Sequence, residues 1–245
     1  MKRFLELISN EIKRNYYILK NYKFAFFTNI ISNLIFIGIF LSVITAIFDL
    51  SQGFMMILWP VMLALIGAGG DNIRGDMQLG ILERIVSRNT EFKQLLIARI
   101  LADGVWTLPI VLLIGGIFSF LSVDGLKVFL QISIAFFPLF IGSLGIGLFV
   151  SGLTLYYKDT GSTVNIMMIV IMLCTILPWE QWLYNLKYIG ALVIPFLSLN
   201  IFIQSNEYMF LIISIINSIL VYLIGNKLFK YYFDLTKREK GFVRY

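Results

Sequence analysis

Asp71, Arg99 and Asp103 are ionisable residues at the edges of long apolar runs. An ionisable side chain at membrane depth is costly, so it marks either a function or a partner. Arg99 and Asp103 lie four residues apart, one helical turn, and that spacing predicts an ion pair on one helix face. Carboxylates at such depth could also relay protons, but no chain of carboxylates crosses the apolar runs. The pair therefore reads first as structural and second as a relay. Asn33, Asn165 and Asn217 are lone amides in apolar runs, and interhelical hydrogen bonding is their simplest use.

A second concentration of polar residues is RGDMQLGILERIVSRN, residues 74–89, which interrupts two apolar stretches. Ile81, Leu82, Ile85 and Val86 form an apolar stripe on a short helix, flanked by Asp76, Glu83, Arg84 and Arg88. Two uses fit: a connector resting on lipid, or a helix that docks on a cytoplasmic partner. Gly80 suits a tight turn just before it. Elsewhere the chain lacks a phosphate loop of the form G-x-x-x-x-G-K-S/T and a G-x-S-x-G nucleophile elbow. It has no histidine and a single cysteine, Cys174, so the usual zinc, haem and iron–sulfur sites and an intrachain disulfide are not expected.

These residues need a scaffold, and composition says which kind. Of 245 residues, 59% are hydrophobic and only 14% are charged. A water-soluble globule of this size needs a more polar surface, so the chain reads as an all-α integral membrane protein. A helix crosses the hydrocarbon core with about 20 apolar residues. Six runs qualify, at 24–48, 54–73, 95–122, 128–156, 161–179 and 208–230. They are continuous rather than alternating, which excludes a β-barrel. The first 23 residues do not read as a cleaved signal peptide, which needs a short apolar core and a small-residue cleavage site. Pro60, Pro109 and Pro138 fall inside spans as potential kinks, and Gly142, Gly145 and Gly147 mark close helix packing.

With the N-terminus in the cytoplasm, eighteen of the twenty Lys and Arg residues fall on the inner side, and only Lys127 and Lys187 fall outside. The net charge of +6 is thus explained by orientation, without nucleic acid. A seventh span through 180–206 would place eight basic residues outside, so this segment reads as one or two short outer re-entrant helices. Trp179, Trp182, Tyr184 and Tyr188 suit the headgroup level there. Residues 1–23 carry Phe4, Leu5, Ile8, Ile12, Tyr16 and Leu19 at helical spacing, with Lys2, Arg3, Lys13, Arg14 and Lys20 away from them. That is a basic amphipathic helix for the inner leaflet. One domain spans 1–245, with a cytoplasmic tail at 231–245 and both termini inside.

The stretch GDMQLGILERIVSRNTEFKQLLIARIL resembles a region of the type-two ABC exporter permeases, a Glu-x-x-x-Gly-Thr-Leu-Glu pattern followed by a loop and a helix. Ile81 stands where threonine is common and Asp76 where the first glutamate is common. LTLYYKDTGSTVNIMMIVIMLCTILP, 153–178, is similar to that family's aromatic-basic-Asp turn after the fourth span, here Tyr157, Lys158 and Asp159. The resemblance implies six spans, an N-terminal interface helix, a coupling helix over 75–90, and two short outer helices between spans five and six. It implies a multi-pass protein of the cell membrane that pairs with a second permease copy and with separate ABC ATPase subunits, and contacts membrane lipids. Gly80, Ile81, Leu82, Glu83 and Arg84 would lie at or near the ATPase contact. The chain itself would bind no cofactor and would not be an enzyme, with ATP and Mg held by the partner. A hydrophobic or amphipathic cargo such as a drug, peptide, lipid or glycolipid would move outward. The rival readings are a membrane-embedded lipid-modifying enzyme, an ion-gradient-driven transporter and an immunity-type membrane subunit.

Overall fold

The computed structural model describes residues 2–24, 55–88, 92–121, 125–158, 160–176 and 187–239, together with positions 27, 28, 31, 32, 35, 38 and 39. Most of the expected first span, Asn33, Asp159, Trp179, Trp182, Tyr184 and residues 240–245 lie outside the described residues. Among the described residues there is no strand. The helices are α1 (Lys2–Asn21), α2 (Met55–Gln78), α3 (Leu82–Arg88), α4 (Phe92–Leu121), α5 (Gly125–Tyr157), α6 (Gly161–Ile176), α7 (Lys187–Val193), α8 (Leu197–Ser205) and α9 (Tyr208–Glu239). Three of them contain stretches long and apolar enough to cross a membrane: Phe92–Leu113, Phe129–Tyr157 and Tyr208–Glu239. A shorter apolar stretch, Gly161–Thr175, falls in α6.

Several helices overrun the apolar segments that the sequence delimits. α2 continues through Asp71, Arg74 and Asp76 to Gln78, and α9 continues through Lys230 and Lys237 to Glu239. Charge does not stop a helix. A residue that leaves the helical conformation does.

α5 is the central element, packed against α2, α4, α8 and α9. Small residues on it permit the close approach. A Cβ added at Gly69 of α2 would fall on the Gly147 carbonyl, and one added at Gly225 of α9 would fall on the Gly145 carbonyl. The hydroxyl of Ser151 lies 2.9 Å from Gly69 O and 2.7 Å from its own helix's Gly147 O, so it seals the first crossing with a shared hydrogen bond. Such backbone approach is how helices associate where no hydrophobic drive separates them from lipid.

α7 and α8 form a hairpin against α9, and α8 is buried from Leu197 to Ile203. The turn between them has Leu197 N–H donating to Ile194 O at 3.3 Å, Pro195 at the second position and Phe196 at the third. Phe196 adopts φ 67°, ψ −5°. Those angles are a type II turn's third position, which favours glycine. The ring compensates by packing: it covers Gly142, where an added Cβ would lie 2.7 Å from it. Asn200 donates to Thr175 O at 2.6 Å, and Asn217 lies 3.4 Å from Ala191 O, tying the hairpin to α6 and α9. Asn165, by contrast, is exposed on α6.

α1 keeps most of the stripe read from its sequence on one side and adds polar residues to it. Phe4, Ile8, Ile12 and Leu19 are half-buried, but so are Glu11, Arg14 and Asn15, while Leu5 and Tyr16 are exposed. The helix packs along α4, with the Tyr16 ring stacked on Trp106 at 6.3 Å. Its polar residues are part of that contact, because α4 offers charged partners.

Candidate functional site

The turn after α2 is set by its cap. Gly80 takes φ 65°, its N–H donates to Met77 O at 2.9 Å, and Ile81 N–H donates to Asp76 O at 3.0 Å. This paired closure ends a helix where a left-handed residue follows it, and glycine takes that conformation without a steric penalty. The expected 75–90 helix is therefore split. Residues 75–78 finish α2, and the separate helix is Leu82–Arg88.

Seven residues cannot hold a helix by themselves; packing holds this one. Leu82 is buried, and Ile85 and Val86 pack against the hydrophobic core. The predicted apolar stripe is thus spent on the bundle, apart from Ile81, which is 36% exposed. What α3 and its turn leave outward is Leu79, Ile81, Glu83, Arg84 and Ser87. Asp76, expected to flank this helix, belongs instead to the last turn of α2 and is buried.

Arg99 and Asp103 do not form the predicted ion pair; each leaves α4 for other helices. Arg99 is 8% exposed. Its Nη1 donates to Asp76 Oδ2 of α2 at 2.5 Å, and its Nε lies 3.6 Å from Glu11 Oε1 of α1. Glu11 in turn contacts Arg14 at 2.7 Å. Asp103 accepts from Asn15 of α1 at 2.6 Å and from Asn72 of α2 at 3.0 Å. A buried charge must find both an opposite charge and hydrogen bonds, and three helices converging here supply more of both than one helix face. The sequence reading missed Glu11, Asn15 and Asn72. Their signal was present in α1, where Glu11 and Asn15 sit one turn apart inside an otherwise apolar stripe.

Asp76 joins the two arrangements. Its carboxylate takes Arg99, and its main-chain carbonyl takes the N–H of Ile81 that opens α3. A cavity of about 500 Å³ lies beside this cluster, lined by residues of α1, α2 and α4. Asp71 is on its rim, largely exposed and 3.6 Å from Arg74. The Arg74 guanidinium lies over Gly161 at the start of α6.

The second predicted turn sits among different neighbours. Tyr157 is exposed and meets Tyr156 edge-on at 4.8 Å and Tyr232 of α9 at 6.4 Å. Tyr156 donates to Glu239 at 2.9 Å. Lys158 takes φ 68°, with its N–H donating to Thr154 O at 2.9 Å, so a lysine fills the left-handed capping position that glycine usually takes. The Thr154 and Thr160 hydroxyls, 2.7 Å apart, bridge the turn beneath it.

Among the described residues no group of three or more His, Cys, Asp or Glu side chains is placed to hold a metal ion. No protein-family model matches the chain, and no curated protein matches it in sequence.

Proposed function

We propose that this chain is the membrane-spanning subunit of an ATP-driven exporter, with six spans and both termini in the cytoplasm. Two copies pair with two separate ATPase subunits that hold ATP and Mg, and the chain itself performs no chemistry. The observation that carries this reading is α3: a short helix anchored by Leu82 that leaves Glu83 and Arg84 exposed, in a chain with no phosphate loop of its own. A helix built this way suits transmission better than attachment to lipid, because its apolar side is already occupied. A partner would meet the charged side and the exposed Leu79 and Ile81.

In this reading, ATP binding closes the ATPase pair, and α3 moves with the surface it rests on. The cap at Gly80 and the packing of Leu82 pass that displacement to α2, which shifts as a packed body against α5. ATP performs work only to the extent that its binding favours one arrangement over the other. The lipid-enzyme alternative would need a cluster of carboxylates or histidines; the chain has no histidine, and Asp76 is committed to Arg99.

The test is affinity purification of the tagged chain from its host in gentle detergent with ATP, followed by mass spectrometry. A soluble ATPase with a phosphate loop is expected to accompany the wild type. Glu83→Lys should lose that partner, or lose coupled export, while inserting and folding normally. Normal export by Glu83→Lys would count against the proposal.

A further inference from the structure

We infer that the cavity bounded by α1, α2 and α4 binds an amphiphile through a cationic amine head seated on Asp103. Shape is the first argument. Ala64, Gly67, Asp71 and Gly75 follow one another along a single face of α2, and all line the cavity. Three of the four have little or no side chain, which keeps the trough open. Its lining on this helix runs from Leu63 to Asp76, and Asp103 sits beside Asn72. From Leu63 to Asn72 the rise at 1.5 Å per residue is roughly 14 Å, the scale of a medium-length acyl chain. The lining is apolar at Leu63 and Ala64 and polar at Asp71, Asn72 and Asp103, so the stretch between them offers one side for a tail and one for a charged head.

Charge selects the head. Arg14 and Arg99 both line the cavity, but each guanidinium already faces a carboxylate, Glu11 and Asp76 respectively. Among the described residues no cation lies within ion-pair distance of Asp103, and Arg14 and Arg99 act on it only from further away. Its two oxygens each accept one hydrogen from a neutral amide, Asn15 and Asn72. A carboxylate offers about four acceptor positions, so both oxygens retain capacity after those bonds. A primary ammonium brings a positive charge and three donors. The two amides fix the carboxylate in place before the ligand arrives, which reduces the ordering cost of binding. Asp71, exposed at the rim, presents a second carboxylate to an incoming cation. The inference concerns this chain alone and does not depend on an ATPase partner.

The experiment uses the full chain in nanodiscs of phosphatidylcholine. A fluorescently labelled medium-chain primary amine is titrated beside the alcohol of the same chain and label, with empty nanodiscs subtracted for partition. Saturable binding is expected, with the amine preferred about tenfold or more, as a charge-assisted hydrogen bond implies. Asp103→Asn should lose the preference; it also takes away one acceptor from the Asn15 and Asn72 amides, so a modest drop in melting temperature is expected beside it. Ala64→Leu, which fills the apolar wall, should weaken both probes. Equal binding of amine and alcohol to the wild type overturns the inference, as does a preference that survives in a folded Asp103→Asn. If Asp103→Asn does not fold, unchanged amine binding by Ala64→Leu overturns it instead.

Discussion

Where α2 crosses α5, two glycine backbones touch and a single serine hydroxyl seals the contact. About two turns further along α2, at Asp76, three helices meet through two guanidiniums, three carboxylates and two amides. The crossing is held by the absence of side chains, and its specificity is steric. The cluster is held by charge, and its specificity lies in which acid each arginine finds. A steric joint resists additions, whereas a charged joint resists deletions. The difference suits their positions. The crossing lies in the middle of the packed core, and the cluster borders the turn into α3.

Removing one member of the charged joint should give the largest effect. Arg99→Met strands Asp76, while Glu11 keeps Arg14, and breaking a buried pair from one side costs about 3–5 kcal/mol. Unfolding in mixed detergent micelles measures the loss. Arg99→Met combined with Asp76→Asn should recover part of it, and no recovery would mean that Arg99 acts through packing instead.

Adding to the steric joint comes next. Gly225→Leu drives a side chain into the Gly145 backbone. Overpacking of this kind costs about 1–3 kcal/mol, more where the backbone cannot shift. Cysteine cross-linking between α5 and α9 should report the altered spacing. An unchanged melting point would show that the two helices separate without loss.

A smaller effect, of opposite sign, is expected at the second turn. Lys158→Gly removes a left-handed penalty of roughly 1–2 kcal/mol, and the gain is reduced because glycine costs more entropy in the unfolded chain. The variant should melt slightly higher than the wild type. Exposed Glu83 marks the end of the scale. Its replacement by lysine should lower stability only slightly, by about 0.3–1 kcal/mol, since Glu83 lies in the first turn of α3, where a negative charge favours the helix N-terminus. A larger melting shift in Glu83→Lys would place that residue in a structural role.

The legible part of this molecule was whatever is encoded locally. Continuous apolar runs announced helices, and Gly80 announced the break between α2 and α3. Gly142, Gly145 and Gly147 announced close packing. Residue spacing could not reveal which helix would answer Arg99. The i, i+4 rule describes a lone helix, and here Asp76 and Glu11, brought in by tertiary packing, displaced Asp103 as the partner. The α3 stripe was visible, but its destination was not, because an apolar face looks the same whether it meets lipid, a partner or its own core. Span bounds such as 54–73 mark apolar runs rather than helix ends, and α2 continues past them to Gln78.

Phe196 leaves a trace that a saturation-mutagenesis screen would read. Its backbone favours glycine and its pocket over Gly142 favours an aromatic ring, so no single residue satisfies both demands. Glycine there relaxes the turn but empties the pocket. Aliphatic residues keep the strain and fill the space poorly. Only tyrosine or tryptophan comes close, and both must find a partner for a polar hydrogen. Asn206 is also left-handed, at φ 59°. Its side-chain commitment among the described residues is one hydrogen bond from the buried Gln131, so glycine there relaxes the backbone against the loss of that bond, about 1 kcal/mol, and small residues should be tolerated. Two positions with nearly the same backbone angles would then show opposite substitution profiles, one nearly closed and one open.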